Sequence, residues 1–279
     1  LKAQLKTLKL RKKLKKIENI NEYKTTKNEL KILDINLNFK KPFNLPPEET
    51  TRYLLKSFNI AHDLAKKKII KGFINCAVNK KTLFKNKDIG VTEYLAKKNK
   101  CNHSEVMMIY NNKLSVVPFT THVRLKKITK LIQKIKIIKK IKTLNIFYKK
   151  IFKKKPKIGI LGLNPHNYEL RKNSEEKKII IPAVNNLKKT INIIGPIPAD
   201  TAFLKENQIK FDIIVGMYHD QVLAPFKALY GFDAVNITLG LPYLRLSPDH
   251  GTARDKVGLN ISNPQSLNKC IDIISKYKD

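Results

Sequence analysis

Tryptophan is absent and acidic residues are few: 22 Asp and Glu stand against 57 Lys and Arg in 279 residues, a formal charge of +35. Cysteine is scarce as well. Cys76, Cys101 and Cys270 are odd in number and make no CxxC pair, which argues against a disulfide framework and against a thiolate zinc site. A reducing cytoplasm is the expected setting. No apolar run approaches the length of a membrane span, because lysines interrupt every Ile-rich stretch. The basic first residues are followed by no uninterrupted apolar segment of the kind a signal peptide needs. No Gly-x-Gly-x-x-Gly occurs, which excludes the standard Rossmann fingerprint. Internal repeats and Gly/Ser linkers are missing too.

What is present is enough to fold. A hydrophobic content of 42% over this length can build one large domain or two modest ones sharing a cleft. The positive charge would ordinarily point to nucleic acid or an anionic membrane. The kind of cation argues otherwise: only Arg11, Arg52, Arg124, Arg171, Arg245 and Arg254 are arginines, and arginine is the residue that phosphate and base recognition favours. Lysine, isoleucine and asparagine are what AT-rich coding writes on a tolerant surface. No specific nucleic-acid partner and no membrane are therefore expected, and a basic nucleic-acid-binding protein is the alternative from another class. The chain opens on Leu1, which suggests a fragment or a misplaced start.

Periodicity outlines the elements. Residues 1–20 carry helical Lys/Leu spacing, and Leu30 to Leu37 reads as a short strand. Pro46 and Pro47 before Glu48 and Glu49 start a helix that should run to about Lys68. Gly72 to Val78 is strand-like. Val106–Tyr110 and Leu114–Pro118 flank Asn111-Asn112 as a hairpin. From Val123 to Phe152 a single amphipathic helix is expected, with Ile128, Leu131, Ile135 and Ile138 on its apolar face. Ile158–Leu163 and Phe211–Val215 are apolar runs suited to strands buried on both faces. Strands alternating with helices make an α/β architecture.

Three histidines follow strand-like segments: His122, His166 and His219. Ligands bind at the carboxyl ends of strands in such folds, so three imidazoles there could meet at one divalent metal, although each alone reads more readily as a hydrogen-bonded structural histidine. Asp220 could orient His219 from behind. Asp249, His250, Gly251, Thr252 and Ala253 form a small polar loop whose amides could approach a nucleotide, or an ordinary capped turn. Lys227, Asn236 and Arg245 suit a small phosphorylated substrate through charge-assisted hydrogen bonds. Arg245 weighs most, since arginine is scarce and this one follows the apolar Pro242-Tyr243-Leu244.

Taken together, Gly162 to His166, Gly195 to Thr201, Met217 to Gln221 and the run from Val235 to Ala253 resemble the 4-hydroxythreonine-4-phosphate dehydrogenases in order and spacing. The likeness covers most of the chain from about Leu30. It implies an isocitrate/isopropylmalate-dehydrogenase-like α/β/α fold with two subdomains flanking a cleft: residues 1–89 with 240–279 carrying the cofactor loop, and 90–239 carrying the metal and the dimer interface. The implied reaction is NAD- or NADP-dependent oxidation of 4-phosphooxy-L-threonine to a β-keto acid that loses its carboxylate, on the route to pyridoxine phosphate. The implied site has one divalent ion (Zn, Mg or Co) on His122, His166 and His219, with Thr92, Lys227, Asn236 and Arg245 on the substrate and residues 249–253 on the cofactor. It also implies a homodimer with active sites at the subunit interface.

Departures are visible as well. Val91 stands where the family has a substrate-binding histidine in Gly-His-Thr-Glu. Asn75-Cys76-Ala77-Val78-Asn79-Lys80 keeps only the end of Thr-Ala-Pro-Ile-Asn-Lys, and Asn167-Tyr168-Glu169 keeps the acid but loses the glycine of Ala-Gly-Glu. The family's opening Gly-Asp-Pro-Ala-Gly-Ile-Gly-Pro-Glu segment is absent. A paralogue acting on 4-phosphorylated threonate or erythronate, or an inactive truncated remnant, are the alternatives these changes leave.

Overall fold

A computed structural model describes residues 1–23, 28–79, 83–84, 90–101 and 104–278. Among the described residues the strands are β1 (Lys13–Ile17), β2 (Glu29–Leu33), β3 (Gly72–Ile74), β4 (Val106–Tyr110), β5 (Ser115–Pro118), β6 (Ile158–Leu161), β7 (Ile193–Ile197), β8 (Ile213–Gly216), β9 (Val235–Leu239) and β10 (Leu244–Pro248). The first two pair in parallel as a small separate sheet. The other eight form one mixed sheet in the order β3-β10-β9-β4-β5-β8-β6-β7. β9 is antiparallel to both β10 and β4, and β4 to β5, whereas β5, β8, β6 and β7 run parallel. The subdomain division expected at residue 240 falls between β9 and β10, which are hydrogen-bonded neighbours in this sheet. The other expected boundary, at residue 89, and Lys80 lie outside the described residues.

Two-residue alternation decides which face of this sheet becomes a core and which becomes a floor. Val106 and Met108 on β4, Val235, Ile237 and Leu239 on β9, and Leu244 and Leu246 on β10 point to one side and join the largest apolar cluster. Met107 and Ile109, Asn236 and Thr238, and Arg245 and Ser247 occupy the intervening positions, and the register sets Thr238 opposite both Met107 and Arg245. Polar residues at those positions mark a face that something other than an apolar helix covers.

The helices around the sheet include α1 (Lys2–Thr7), α2 (Pro47–Lys66), α3 (Val91–Lys98), α4 (Ile128–Leu131), α5 (Lys134–Phe152), α6 (Ile181–Leu187), α7 (Lys205–Gln208), α8 (His219–Tyr230) and α9 (Gln265–Lys276). Three expectations need correction. The helix foreseen over residues 1–20 stops at Thr7, and the chain then extends into β1, where pairing with β2 outweighs local helical spacing. β3 is shorter than Gly72 to Val78. The long helix from Val123 is broken: Ile132 and Gln133 are extended, which separates α4 from α5 and shifts the apolar face. Ile137, Ile141, Leu144 and Tyr148 are buried, while Ile135, expected in the core, is 78% exposed.

That shift is directly testable. Ile141→Ala should cost about 2–5 kcal/mol as a buried truncation, whereas Ile135→Ala should stay within about 0.5 kcal/mol of the parent. Urea unfolding midpoints of the two variants measure the difference.

Candidate functional site

A cavity of about 380 Å³ lies over the polar face of β4, β9 and β10. Arg245 is at its base, 3% exposed. Its Nε donates to Asn75 Oδ1 at 2.8 Å and its Nη1 to Thr238 Oγ1 at 3.0 Å, and Thr238 Oγ1 is 3.1 Å from Thr92 Oγ1. Both acceptors are neutral. Among the described residues no carboxylate forms an ion pair with this guanidinium, and burial pulls its pKa down to about 10. A buried cation satisfied only by neutral oxygens is electrostatically incomplete, because desolvation is offset well only by an opposite charge. Asn236, on the same face, has a buried Oδ1 with no hydrogen-bond partner among the described residues.

The rim carries two imidazoles. His122 follows β5, and His219 opens α8 directly after β8, so both sit at carboxyl ends of adjacent parallel strands. Their ring centroids are 5.8 Å apart. His219 Nδ1 is 2.6 Å from Asp220 Oδ1, and His122 Nδ1 is 3.9 Å from Glu93 Oε1, so each ring turns the same nitrogen toward a carboxylate. Glu93 stands in the first turn of α3 and also accepts from Thr121 Oγ1 at 3.0 Å. Burial works to raise its pKa, yet hydrogen bonds from His122, its own backbone and Thr121 prevail and hold the carboxyl at about 2.

His166 is elsewhere in the chain. It opens onto a second cavity of about 240 Å³ with Asn164, Asp200, Tyr218 and Gln221, and its Nε2 is 3.7 Å from Asp200 Oδ2. Among the described residues no three His, Cys, Asp or Glu side chains of one chain come close enough to hold a metal ion. His166 begins a run of five residues, through Leu170, with φ between 49° and 56°, a left-handed turn built without glycine. Such a run is costly for L-residues, and buried groups hold it. Asn167 Nδ2 donates to the Pro196 carbonyl at 3.2 Å. Glu176, fully buried, accepts from the amides of Leu163 at 2.8 Å and Asn164 at 2.9 Å. Burial pushes its carboxyl up, but these amides and the Asn164 side chain outweigh it, and the net shift is downward.

Of the remaining expected residues, Thr92, Lys227, Asp249, His250, Gly251 and Thr252 all line the larger cavity, and Ala253, with φ 43°, follows at its edge. A Cβ on Gly251 would meet nothing within 4 Å, so its backbone is open to close approach. Val91 also lines the cavity. Asn75, Glu93 and Thr238 were not singled out from the sequence. The signal for Thr238 was available, since it lies two residues beyond Asn236 on one strand and so shares its face.

The model of a protein family described as pyridoxal phosphate biosynthetic protein PdxA matches residues 1–274. The chain belongs to the PdxA family. Among curated PdxA relatives, the 4-hydroxythreonine-4-phosphate dehydrogenase of Sulfurihydrogenibium sp. (strain YO3AOP1) is 46% identical over 188 residues, 66% of this chain and 57% of that protein. Its Aquifex aeolicus counterpart is 42% identical over 68% of this chain and 59% of its own length. A putative D-threonate 4-phosphate dehydrogenase of Oceanobacillus iheyensis is 40% identical over 75% of this chain and 64% of its length. The chain thus spans less than two thirds of these PdxA relatives. Among solved structures, 4-hydroxythreonine-4-phosphate dehydrogenase from Klebsiella pneumoniae superimposes with a TM-score of 0.83 at 28% identity, over 99% of this chain and 86% of that one. A terephthalate 1,2-cis-dihydrodiol dehydrogenase from Burkholderia xenovorans LB400 shares the fold, with a TM-score of 0.65 at 19% identity over 94% of this chain and 82% of that one. The isocitrate/isopropylmalate-dehydrogenase-like α/β fold expected from the sequence is the PdxA fold observed.

The burial of this guanidinium makes a prediction about stability. In the ligand-free protein, Arg245→Met should be neutral or stabilising by about 1–4 kcal/mol, as when a buried charge is replaced by an apolar side chain of similar volume. The same variant should lose the thermal protection that inorganic phosphate confers on the parent. Melting curves with and without phosphate measure both effects.

Proposed function

We propose that this chain is, or is the greater part of, a metal-dependent NAD(P)-linked 4-hydroxythreonine-4-phosphate dehydrogenase of pyridoxine phosphate biosynthesis. The observation that carries the reading is the buried guanidinium of Arg245, paired with no carboxylate among the described residues, at the base of a cavity rimmed by His122 and His219. An anion is the ligand that completes such a base, and a phosphorylated alcohol places its hydroxyl toward the imidazoles.

The residues fit the groups this reading requires. His122 and His219 turn Nδ1 toward Glu93 and Asp220, carboxylates that would orient both imidazoles toward a divalent cation. His166 is exposed on its left-handed turn, and in this reading it reaches the corresponding site of a second copy, so that the homodimer shares each metal. The open backbone at Gly251 suits a nicotinamide dinucleotide along residues 249–253. When bound, the cation supplies Lewis-acid polarisation of the substrate's secondary hydroxyl, and the nicotinamide supplies the hydride acceptor.

The chain's own residues bind and orient. Arg245 and Lys227 give charge-assisted hydrogen bonds to phosphate oxygens. Thr92 is coupled to the guanidinium through Thr238 and holds the same end of the substrate. Asn236 offers its unpartnered Oδ1 to a substrate donor such as the α-ammonium. Fixing both ends of a small molecule aligns its hydroxyl with cation and cofactor, which lowers the entropic part of the barrier. The product, 2-amino-3-oxo-4-phosphooxybutanoate, then loses CO₂ to give 3-amino-2-oxopropyl phosphate, because the new carbonyl accepts the electrons of the breaking bond.

Val91 favours one second reading. An apolar side chain, 7% exposed, replaces a polar substrate contact in the cavity wall. This is compatible with the 4-phosphorylated threonate named for some PdxA relatives. Relative kcat/KM on the amino acid and the hydroxy acid separates the two.

The shared-metal reading has a specific test. His166→Ala and His219→Ala should each abolish metal-dependent NAD reduction. Mixing the two inactive variants under subunit exchange should restore up to about a quarter of parental activity, because half the dimers formed are hybrids with one intact site. No recovery, with exchange demonstrated by mass, contradicts a site built across two chains, and activity in either single variant contradicts the metal assignment.

A further inference from the structure

Lys227, proposed to serve the substrate, and Asp249, proposed to serve the cofactor, are bound to each other through their side chains. Lys227 Nζ donates to Asp249 Oδ2, and to the Asp249 backbone carbonyl at 3.2 Å. The ammonium also lies 4.5 Å from the centroid of the Phe232 ring. Asp249 does not drift with it: its amide donates to Ser266 Oγ at 2.9 Å, and Ser266, at the start of α9, donates in turn to the Ala234 carbonyl. The lysine side chain is 30% exposed and the aspartate 12%, so the pair is largely withdrawn from solvent at the wall of the cavity.

This arrangement creates a competition. A phosphate held at Arg245 attracts the Lys227 ammonium and repels the Asp249 carboxylate, and low local polarity strengthens both effects. Without phosphate, Oδ2 of the carboxylate is engaged by the Lys227 ammonium, which holds the side chain in place and draws on its charge, so that it accepts less strongly from any other donor. We propose that Asp249 is the positioning residue that links the two ligands: substrate phosphate draws Lys227 away, and the released carboxylate then accepts hydroxyl groups of the dinucleotide. Cofactor affinity therefore rises with phosphate occupancy, and by linkage phosphate affinity rises equally with cofactor. The inference rests on the assignment of Lys227 and of residues 249–253 made above, and it goes beyond that assignment in making the two sites interdependent.

The experiment measures NAD and NADP affinity of the full protein by calorimetry, with and without saturating inorganic phosphate, for the parent, Asp249→Asn and Lys227→Met. In the parent, phosphate should tighten cofactor binding about 5-fold or more. Asp249→Asn should bind cofactor more weakly and with no response to phosphate. Lys227→Met, which frees the carboxylate from the other side, should bind cofactor in the absence of phosphate as tightly as the phosphate-saturated parent. A parent that binds both ligands without coupling, or a coupling that survives Asp249→Asn, overturns the inference while leaving the assigned sites standing. A parent that binds neither ligand removes the assignment and the inference together.

Discussion

The organising constraint of this molecule is a buried guanidinium that pairs with no carboxylate among the described residues. Arg245 sits on β10, one strand in from the β3 edge of the eight-stranded sheet, 3% exposed, and among the described residues its acceptors are the oxygens of Asn75 and Thr238. Removing a guanidinium from water is expensive, and neutral acceptors offset only part of the cost. The polar residues beside it are arranged by the same requirement. Thr238 faces it across the β9–β10 register and passes the interaction to Thr92, so the first turn of α3 is tied to the base of the cavity. Glu93, the next residue, then meets Thr121 and faces His122. A single buried cation thus connects the base of the cavity, a helix start and an imidazole on the rim.

Much of this was legible in the sequence because strands encode faces with period two. The apolar residues of Val106–Tyr110 identify that strand; β9 and β10 were not outlined from the sequence, but Asn236 and Arg245 interrupt otherwise apolar stretches where a lined cavity tolerates them. The hairpin across Asn111 forms as its turn residues imply. The resemblance to 4-hydroxythreonine-4-phosphate dehydrogenases was likewise carried by motifs that fold into the loops at strand ends, where a mixed α/β sheet positions ligands.

What the sequence hid has physical causes. The break at Ile132 and Gln133 carries no glycine or proline, and a lysine-rich helix with isoleucine at many positions offers two apolar faces; packing selects the one through Ile137, Ile141 and Leu144. The left-handed run from His166 to Leu170 has no glycine to announce it and depends on Asn167 and on Glu176, ten residues downstream of His166 in a separate helical segment. The pairing of Lys227 with Asp249 joins residues read as serving different ligands. Each of these is a tertiary effect overriding a local pattern, and the last two involve residues that line the cavities, where local and global preferences are most often in conflict.

The most direct test of the account is a crystal structure of the protein with 4-phosphooxy-L-threonine bound. The account predicts phosphate oxygens within hydrogen-bond distance of the Arg245 guanidinium, beneath a hydroxyl that points toward His122 and His219. A phosphate bound elsewhere, with Arg245 still engaged only by Asn75 and Thr238, would contradict it.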